Sequence, residues 1–434
     1  MSWRKCLLGL LVSVVLAYFG VLWLAGREHP QAASPDAVGP ALNQAQLLER
    51  GKYLSLLGNC MTCHTARGGA QYAGGRSLAT PFGTFYTPNL TPDHQTGIGT
   101  WQANDFWRAM RDGKSKDGHL LYPVFPYQNY TRLARQDSDA LFAYLQSLPA
   151  VRQTNRQHEI AAPYGWQISL ALWRVLYFDV PAAPLAPLAP ASNQSLARGA
   201  YLVQGLGHCS ACHTSRNSLG ANNSLDLRGG QMPIQEWYAP SLHLAGKWSA
   251  PELQTWLRSG QSSKKAAYGP MANIIYQSLQ YANEADIAAI SEYLLSLPSE
   301  TKLANEVELR PQATLTPALE KGAKLYQQRC QDCHQADGKG VANIYPSLAG
   351  NSSLSLASPI NALRMVLHGG FAPGTQANPR PYGMPPFGAQ LTDEEVAAVL
   401  NYARLQWGQP TANEAVGSWV SSLQVSRYRA LAPD

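Results

Sequence analysis

Six of the seven cysteines fall into three five-residue runs: Cys60-Met-Thr-Cys63-His64, Cys209-Ser-Ala-Cys212-His213 and Cys330-Gln-Asp-Cys333-His334. Nothing else in the chain restricts its fold as strongly. Two thiols on one helical turn can each add to one vinyl group of a haem, and the adjoining imidazole then lies beneath the iron as its proximal ligand. The pattern predicts three covalently bound haems c. Cys60, Cys63, Cys209, Cys212, Cys330 and Cys333 would attach them, and His64, His213 and His334 would ligate iron. Other readings of a Cys-x-x-Cys pair fit less well. A four-ligand zinc site needs pairs from different repeats to meet. A thioredoxin-type dithiol needs a βαβ setting, which precedes none of the three.

Each run sits in the same sequence frame. The lead-ins are Glu49-Arg50-Gly51-Lys52-Tyr53-Leu54, Ala197-Arg198-Gly199-Ala200-Tyr201-Leu202 and Glu320-Lys321-Gly322-Ala323-Lys324-Leu325. Each reads as a helix whose glycine admits a second helix at close range. Each frame closes on an acidic start followed by apolar positions at helical spacing, at Asp137–Leu148, Glu284–Leu297 and Thr392–Gln406. Thr392 followed by Glu395 is a capping box. Between them lies a Pro-x-Leu segment, at Pro88, Pro240 and Pro346. The chain therefore reads as all-α, with three small haem domains in tandem at 45–150, 195–300 and 315–408. Residues 151–194 connect the first two and 409–434 form a tail. Within the connection, Pro181–Ala191 is a semi-rigid linker. Trp166–Phe178 is apolar, too short to span a bilayer, and is expected to pack between domains.

Ahead of the repeats, Arg4 and Lys5 precede an uncharged apolar run of 21 residues, Cys6 to Gly26. That length suits a membrane span of ~20 residues better than the ~7–15 of a signal peptide. Trp23-Leu24-Ala25-Gly26 is also a poor cleavage site. Residues 1–30 are thus read as an uncleaved membrane helix in preference to a cleaved signal. The positive-inside tendency puts Arg4 and Lys5 in the cytoplasm and the haem domains on the periplasmic side of a bacterial inner membrane. The chain of 434 residues, 45% of them apolar, suffices for three packed cores. Its formal net charge of +6, without a long basic run, does not indicate nucleic acid. Six haem propionates would cancel it.

These residues resemble the cytochrome c subunit of membrane-bound periplasmic dehydrogenases, which act on alcohols, sugars, sugar acids or aldehydes. The most specific matches are Tyr72-Ala73-Gly74-Gly75, Thr80-Pro81-Phe82-Gly83-Thr84, Asn89-Leu90-Thr91-Pro92-Asp93 and Gly97-Ile98-Gly99-Thr100-Trp101. The resemblance implies class I cytochrome c-like units with His–Met ligation. It also implies a separate catalytic subunit carrying flavin, pyrroloquinoline quinone or molybdopterin, and ubiquinone or a terminal oxidase as electron acceptor. Pro88, Pro240 and Pro346 would supply the carbonyls that hold the proximal imidazoles.

Sixth ligands follow from the remaining methionines. Met271 and Met384 lie in Gly/Pro-rich loops, as Tyr-Gly-Pro-Met and Tyr-Gly-Met-Pro-Pro, and are the distal candidates of repeats two and three. Met232 and Met365 are second choices. Repeat one breaks the pattern, because Phe125 stands where many relatives have methionine. Its candidates are Met110, His119 or no protein ligand at all. An electron-transfer subunit is the leading reading. The alternatives are a haem enzyme or ligand sensor using an open first haem, and a cytochrome component of a terminal oxidase.

Overall fold

The computed structural model describes residues 3–27, 42–180, 194–298 apart from 233–235 and 264, 316–408 apart from 357, and 419–431. The linker Pro181–Ala191 lies outside the described residues. The chain divides into two compact units, Met1–Ala211 with Arg216–Asp226, and Cys212–Ser215 with Leu227–Asp434. That boundary passes through the segment expected as the second haem domain.

In the first unit the lead-in helix is Gln44–Leu57. It starts on a capping box in which Asn43 and Gln46 each bond the other's backbone N–H. The closing helix is Arg135–Gln146, and the two cross where Gly51 meets the backbone of Ala140. A Cβ on Gly51 would collide with the Ala140 carbonyl, so only glycine permits this crossing. Beside it, Arg50 bonds the buried Asp137 carboxylate at 2.5 Å, and Tyr201 donates to the other carboxylate oxygen at 2.6 Å. The helix Ala103–Asp112 packs on the closing helix and buries Phe106, Trp107 and Met110.

The second unit repeats the arrangement. The lead-in helix Pro317–Arg329 crosses Asp393–Ala403, and a Cβ on Gly322 would strike the Ala398 carbonyl. Thr392 and Glu395 form the capping box read from the sequence. Leu363, Leu367, Val396 and Leu400 form the local core. Val420 and Val425 join it from the C-terminal stretch, whose helix is Ser422–Arg429. In the same unit Glu284–Ser296 packs on Ala250–Ser259.

The mainly helical expectation holds, with short strands added in the loops, and one expectation, the N-terminal membrane span, needs correction. Short antiparallel ribbons form at Ser77–Thr80, Gly83–Tyr86 and Glu159–Ile160, at Gly230–Met232 with Trp237–Ala239, and at Gly370–Phe371 with Gly383–Met384. They arise in Gly/Pro-rich loops, which cannot propagate helix and pair locally instead. Next, the helix Gln167–Tyr177 packs against the N-terminal helix Trp3–Gly26, through Leu170, Ala171 and Ala25. It leaves Leu172, Val175 and Leu176 exposed, while Arg174 donates to the Asp112 carbonyl at 2.7 Å and Trp173 to the Leu219 carbonyl at 3.0 Å, so the helix touches both the first repeat and the start of the second. Finally, residues 3–26 are helical, yet among the described residues no helix is long and apolar enough to cross a membrane. The last turn of Trp3–Gly26 is held by the first unit: Ala25 is buried, and Lys114 Nζ donates to the Gly26 carbonyl at 2.5 Å.

Candidate haem-attachment sites

The three motifs share one contact. Each proximal imidazole places Nδ1 against a prolyl carbonyl: His64 at 2.9 Å from Pro88, His213 at 2.7 Å from Pro240, and His334 at 3.0 Å from Pro346. At these distances Nδ1–H donates, which leaves the lone pair on Nε2 for a metal. Packing around each ring lowers its pKa below the ordinary 6.5, opposed by the prolyl hydrogen bond. The ligating, neutral form is favoured. Burial pushes the Cys60 thiol up to about 12, with Cys63 adding to the effect, and the Cys330 thiol up to about 11.

A glycine that sequence reading did not single out completes each site. The N–H of Gly74 donates to the His64 carbonyl at 2.8 Å, that of Gly229 to His213 at 2.9 Å, and that of Gly340 to His334 at 3.0 Å. All three glycines have positive φ, at 75°, 90° and 65°. All three lie against the prolyl carbonyl that the imidazole bonds. A Cβ would come 2.6 Å from the Pro88 oxygen, 3.0 Å from the Pro240 carbonyl carbon and 2.7 Å from the Pro346 oxygen. Two residues beyond each proline, Leu90, Leu242 and Leu348 donate to the carbonyls of Tyr72, Leu227 and Gly338. The Gly-Gly pairs at 74–75 and 229–230 were the available signal. Their partners lie in other segments, so the pairing itself was hidden.

The carbonyl before each second cysteine is also held by a side chain. Arg76 donates to Thr62 at 2.8 Å, Arg216 to Ala211 at 2.7 Å and Gln335 to Asp332 at 3.2 Å. Among the described residues the six motif cysteines are free, and no group of three or more His, Cys, Asp or Glu gathers around one point. A zinc site needs such convergence. Two separated thiols and an imidazole with a free Nε2 suit an extended macrocycle.

The distal candidates are placed less uniformly. Met384 ends the strand Gly383–Met384 and lines a cavity of about 450 Å³ with Met365, Arg364, His368 and Trp237. Met271 lies in the first turn of the helix Gly269–Gln277, and Met232 ends a strand. Met110 is buried in its helix. The His119 side chain is 66% exposed and bonds Asp117 at 2.7 Å, which is unlike a group in a closed haem pocket. Phe125 packs on Tyr130, with ring centroids 5.4 Å apart, and Tyr130 is buried near the Cys60 and Cys63 thiols.

The chain is similar to known proteins. The family model described as Cytochrome c matches residues 48–149 and 319–406. The cytochrome c subunit of the quinone-type alcohol dehydrogenase of Gluconacetobacter polyoxogenes is 36% identical over 423 residues, covering 94% of this chain and 87% of that one. The gluconate 2-dehydrogenase cytochrome c subunit of Pantoea cypripedii is 36% identical over 87% of this chain and 89% of its own. The fructose dehydrogenase cytochrome subunit of Gluconobacter japonicus is 34% identical over 94% and 88%. The chain belongs to the cytochrome c subunits of dehydrogenases. As such a subunit it transfers electrons and leaves substrate oxidation to a catalytic partner. Covalently bound haem c is the cofactor of this cytochrome family, and the motif cysteines and proximal histidines are the residues suited to hold it.

Proposed function

We propose that this cytochrome subunit carries three haems c and passes electrons from a dehydrogenase catalytic subunit to ubiquinone or a terminal oxidase. One observation carries the number. The histidine, proline and glycine lock occurs three times with the same partners and nearly the same distances, including in the middle repeat. The alcohol, gluconate and fructose dehydrogenases to which the relatives belong point to a donor that oxidises an alcohol, a sugar or a sugar acid. Its catalytic subunit would carry flavin, pyrroloquinoline quinone or molybdopterin. Met271 and Met384 are the distal ligands of haems two and three in this reading, and Met110 is the candidate for haem one. A thioether ligand raises haem potential, as suits a carrier between a dehydrogenase and a quinone or oxidase.

The location in this reading is inferred from the N-terminal helix. Trp3, Leu11, Leu16, Phe19 and Trp23 are all exposed on it, and such a surface is stable only when covered by lipid or protein. Membrane attachment through this helix, with the haem domains in the periplasm, fits it best. Mass spectrometry of the native chain should show three haem additions, and two or fewer would overturn the count. Affinity isolation from native membranes should recover a flavin, quinone or molybdenum dehydrogenase subunit. Recovery of a terminal oxidase without any dehydrogenase would instead favour the oxidase-component reading.

A further inference from the structure

Within the first unit, the start of the second attachment sequence, up to Ala211, meets the first attachment sequence at a side chain that neither needs for holding haem. His208, immediately before Cys209, brings Nε2 to 3.2 Å from the carbonyl oxygen of Gly58. Gly58 is two residues before Cys60. The His208 ring stands edge-on to Tyr130, at 5.9 Å and 90°, and Tyr130 is buried beside the Cys60 and Cys63 thiols. Next to it, the buried Asn129 amide donates to the Gln204 carbonyl at 2.7 Å and to the Ser210 hydroxyl at 2.8 Å. Ser210 follows Cys209 inside the second motif.

The backbone is bent to make this contact. His208 has φ +37° and Asn59, just before Cys60, has φ +51°. Left-handed backbone is unfavourable for a residue with a side chain, and such strain persists where surrounding structure demands it. The third motif shows what happens without that demand. There Arg329 occupies the same place and simply ends the helix Pro317–Arg329.

We propose that His208 is the positioning residue for electron transfer between the haems of the first and second motifs. Its bond to Gly58, made over the Tyr130 ring, holds Cys60 and Cys209 at fixed separation. It also joins them by a route with one hydrogen bond and otherwise covalent links: Cys60, Asn59, the Gly58 carbonyl, the His208 ring, Cys209. One electron leaves a ferrous iron and reduces a ferric one, with no proton moved and no bond made or broken. The proposal rests on the tri-haem reading.

The test injects single electrons by pulse radiolysis into the oxidised full-length cytochrome and follows haem-to-haem relaxation by absorbance. His208→Phe keeps a ring on Tyr130 but loses the N–H donor. It should slow the relaxation roughly tenfold while leaving midpoint potentials and thermal stability near wild type, since small misplacements cost rate steeply. His208→Gln, whose amide N–H reaches as far as Nε2–H, should restore the rate. An unchanged rate in His208→Phe, or no recovery in His208→Gln, overturns the proposal. If His208→Phe fails to load a haem, Tyr130→Leu removes the ring supporting His208 and is read by the same criterion: slow supports, unchanged overturns. Haem counting on the same samples separates the two ideas. Fewer than three haems in wild type defeats the tri-haem reading, whereas three haems with an unchanged variant rate defeat His208 alone.

Discussion

Replacing Gly74 by alanine tests the lock around the first proximal histidine. Gly74 has φ +75°, and an added Cβ would lie 2.5 Å from the Pro88 carbonyl carbon and 2.6 Å from its oxygen. Ordinary contact is about 3.5 Å, so the carbonyl must retreat by roughly 1 Å. The His64 bond to that oxygen, now 2.9 Å, then exceeds hydrogen-bond range. Left-handed strain adds about 1–2 kcal/mol and the lost bond about 1 kcal/mol. A local cost of about 2–3 kcal/mol corresponds to a roughly 30- to 150-fold faster opening of the segment. Native-state amide exchange at Leu90, whose N–H is bonded to the Tyr72 carbonyl, reads this directly. Loss of the carbonyl also makes the imidazole a poorer donor to iron, so the potential of the first haem should rise. Gly68 is the control. It has φ +72° and nothing within 4 Å of an added Cβ, so Gly68→Ala carries the strain without the collision. Indistinguishable exchange and potential in the two variants would refute the reasoning.

Three other outcomes are expected. Met384→Leu should remove one sulfur-to-iron charge-transfer band and lower one haem potential; a variant keeping every band assigns that iron to another ligand. If Met110 ligates the first haem, Met110→Leu should bind CO where wild type resists it, whereas an unligated iron binds CO in wild type already. Phe125→Met should then suppress CO binding by offering a thioether there. The pKa of Glu395 is lowered below its ordinary 4.5, first by the Thr392 backbone N–H and next by Lys321. A carboxylate with a depressed folded pKa stabilises fully above its unfolded value and stops doing so as pH falls through the folded one. Melting of the second compact unit should therefore weaken on acidification from pH 5 toward 3, and Glu395→Gln should flatten that dependence; identical pH profiles would contradict the assignment.

Much of the candidate site could be read without coordinates because its chemistry is local. Cys-x-x-Cys-His packs both attachment thiols and a ligand into five residues, and no fold is needed to bring them together. The capping box at Thr392 and Glu395 is equally short-range, spanning one helical turn. Gly51 and Gly322 of the lead-in helices were legible for a related reason, since a glycine at a fixed place in a repeated helix has few uses besides close packing. Prolines 88, 240 and 346 were reached through family resemblance, and their carbonyls lie within 3.0 Å of the imidazoles.

What the chain order could not show is what depends on distant segments meeting. His208 and Gly58 are 150 residues apart, and nothing in either neighbourhood announces the other. The three lock glycines belong to loops whose partner carbonyls arrive only when the loop folds back. The apolar residues of Gln167–Tyr177 say that it is covered, not by what, and only tertiary packing set it against the N-terminal helix as well as against Asp112 and Leu219. The distal side of the first haem is decided the same way. A methionine on an apolar helical face serves as core or as ligand according to where its helix lies relative to the iron. Covalent attachment is thus written into contiguous residues, because bond formation needs only neighbours. Ligand choice, strain and the contact between two haem motifs belong to the tertiary structure, because they are fixed by distances that the linear sequence does not contain.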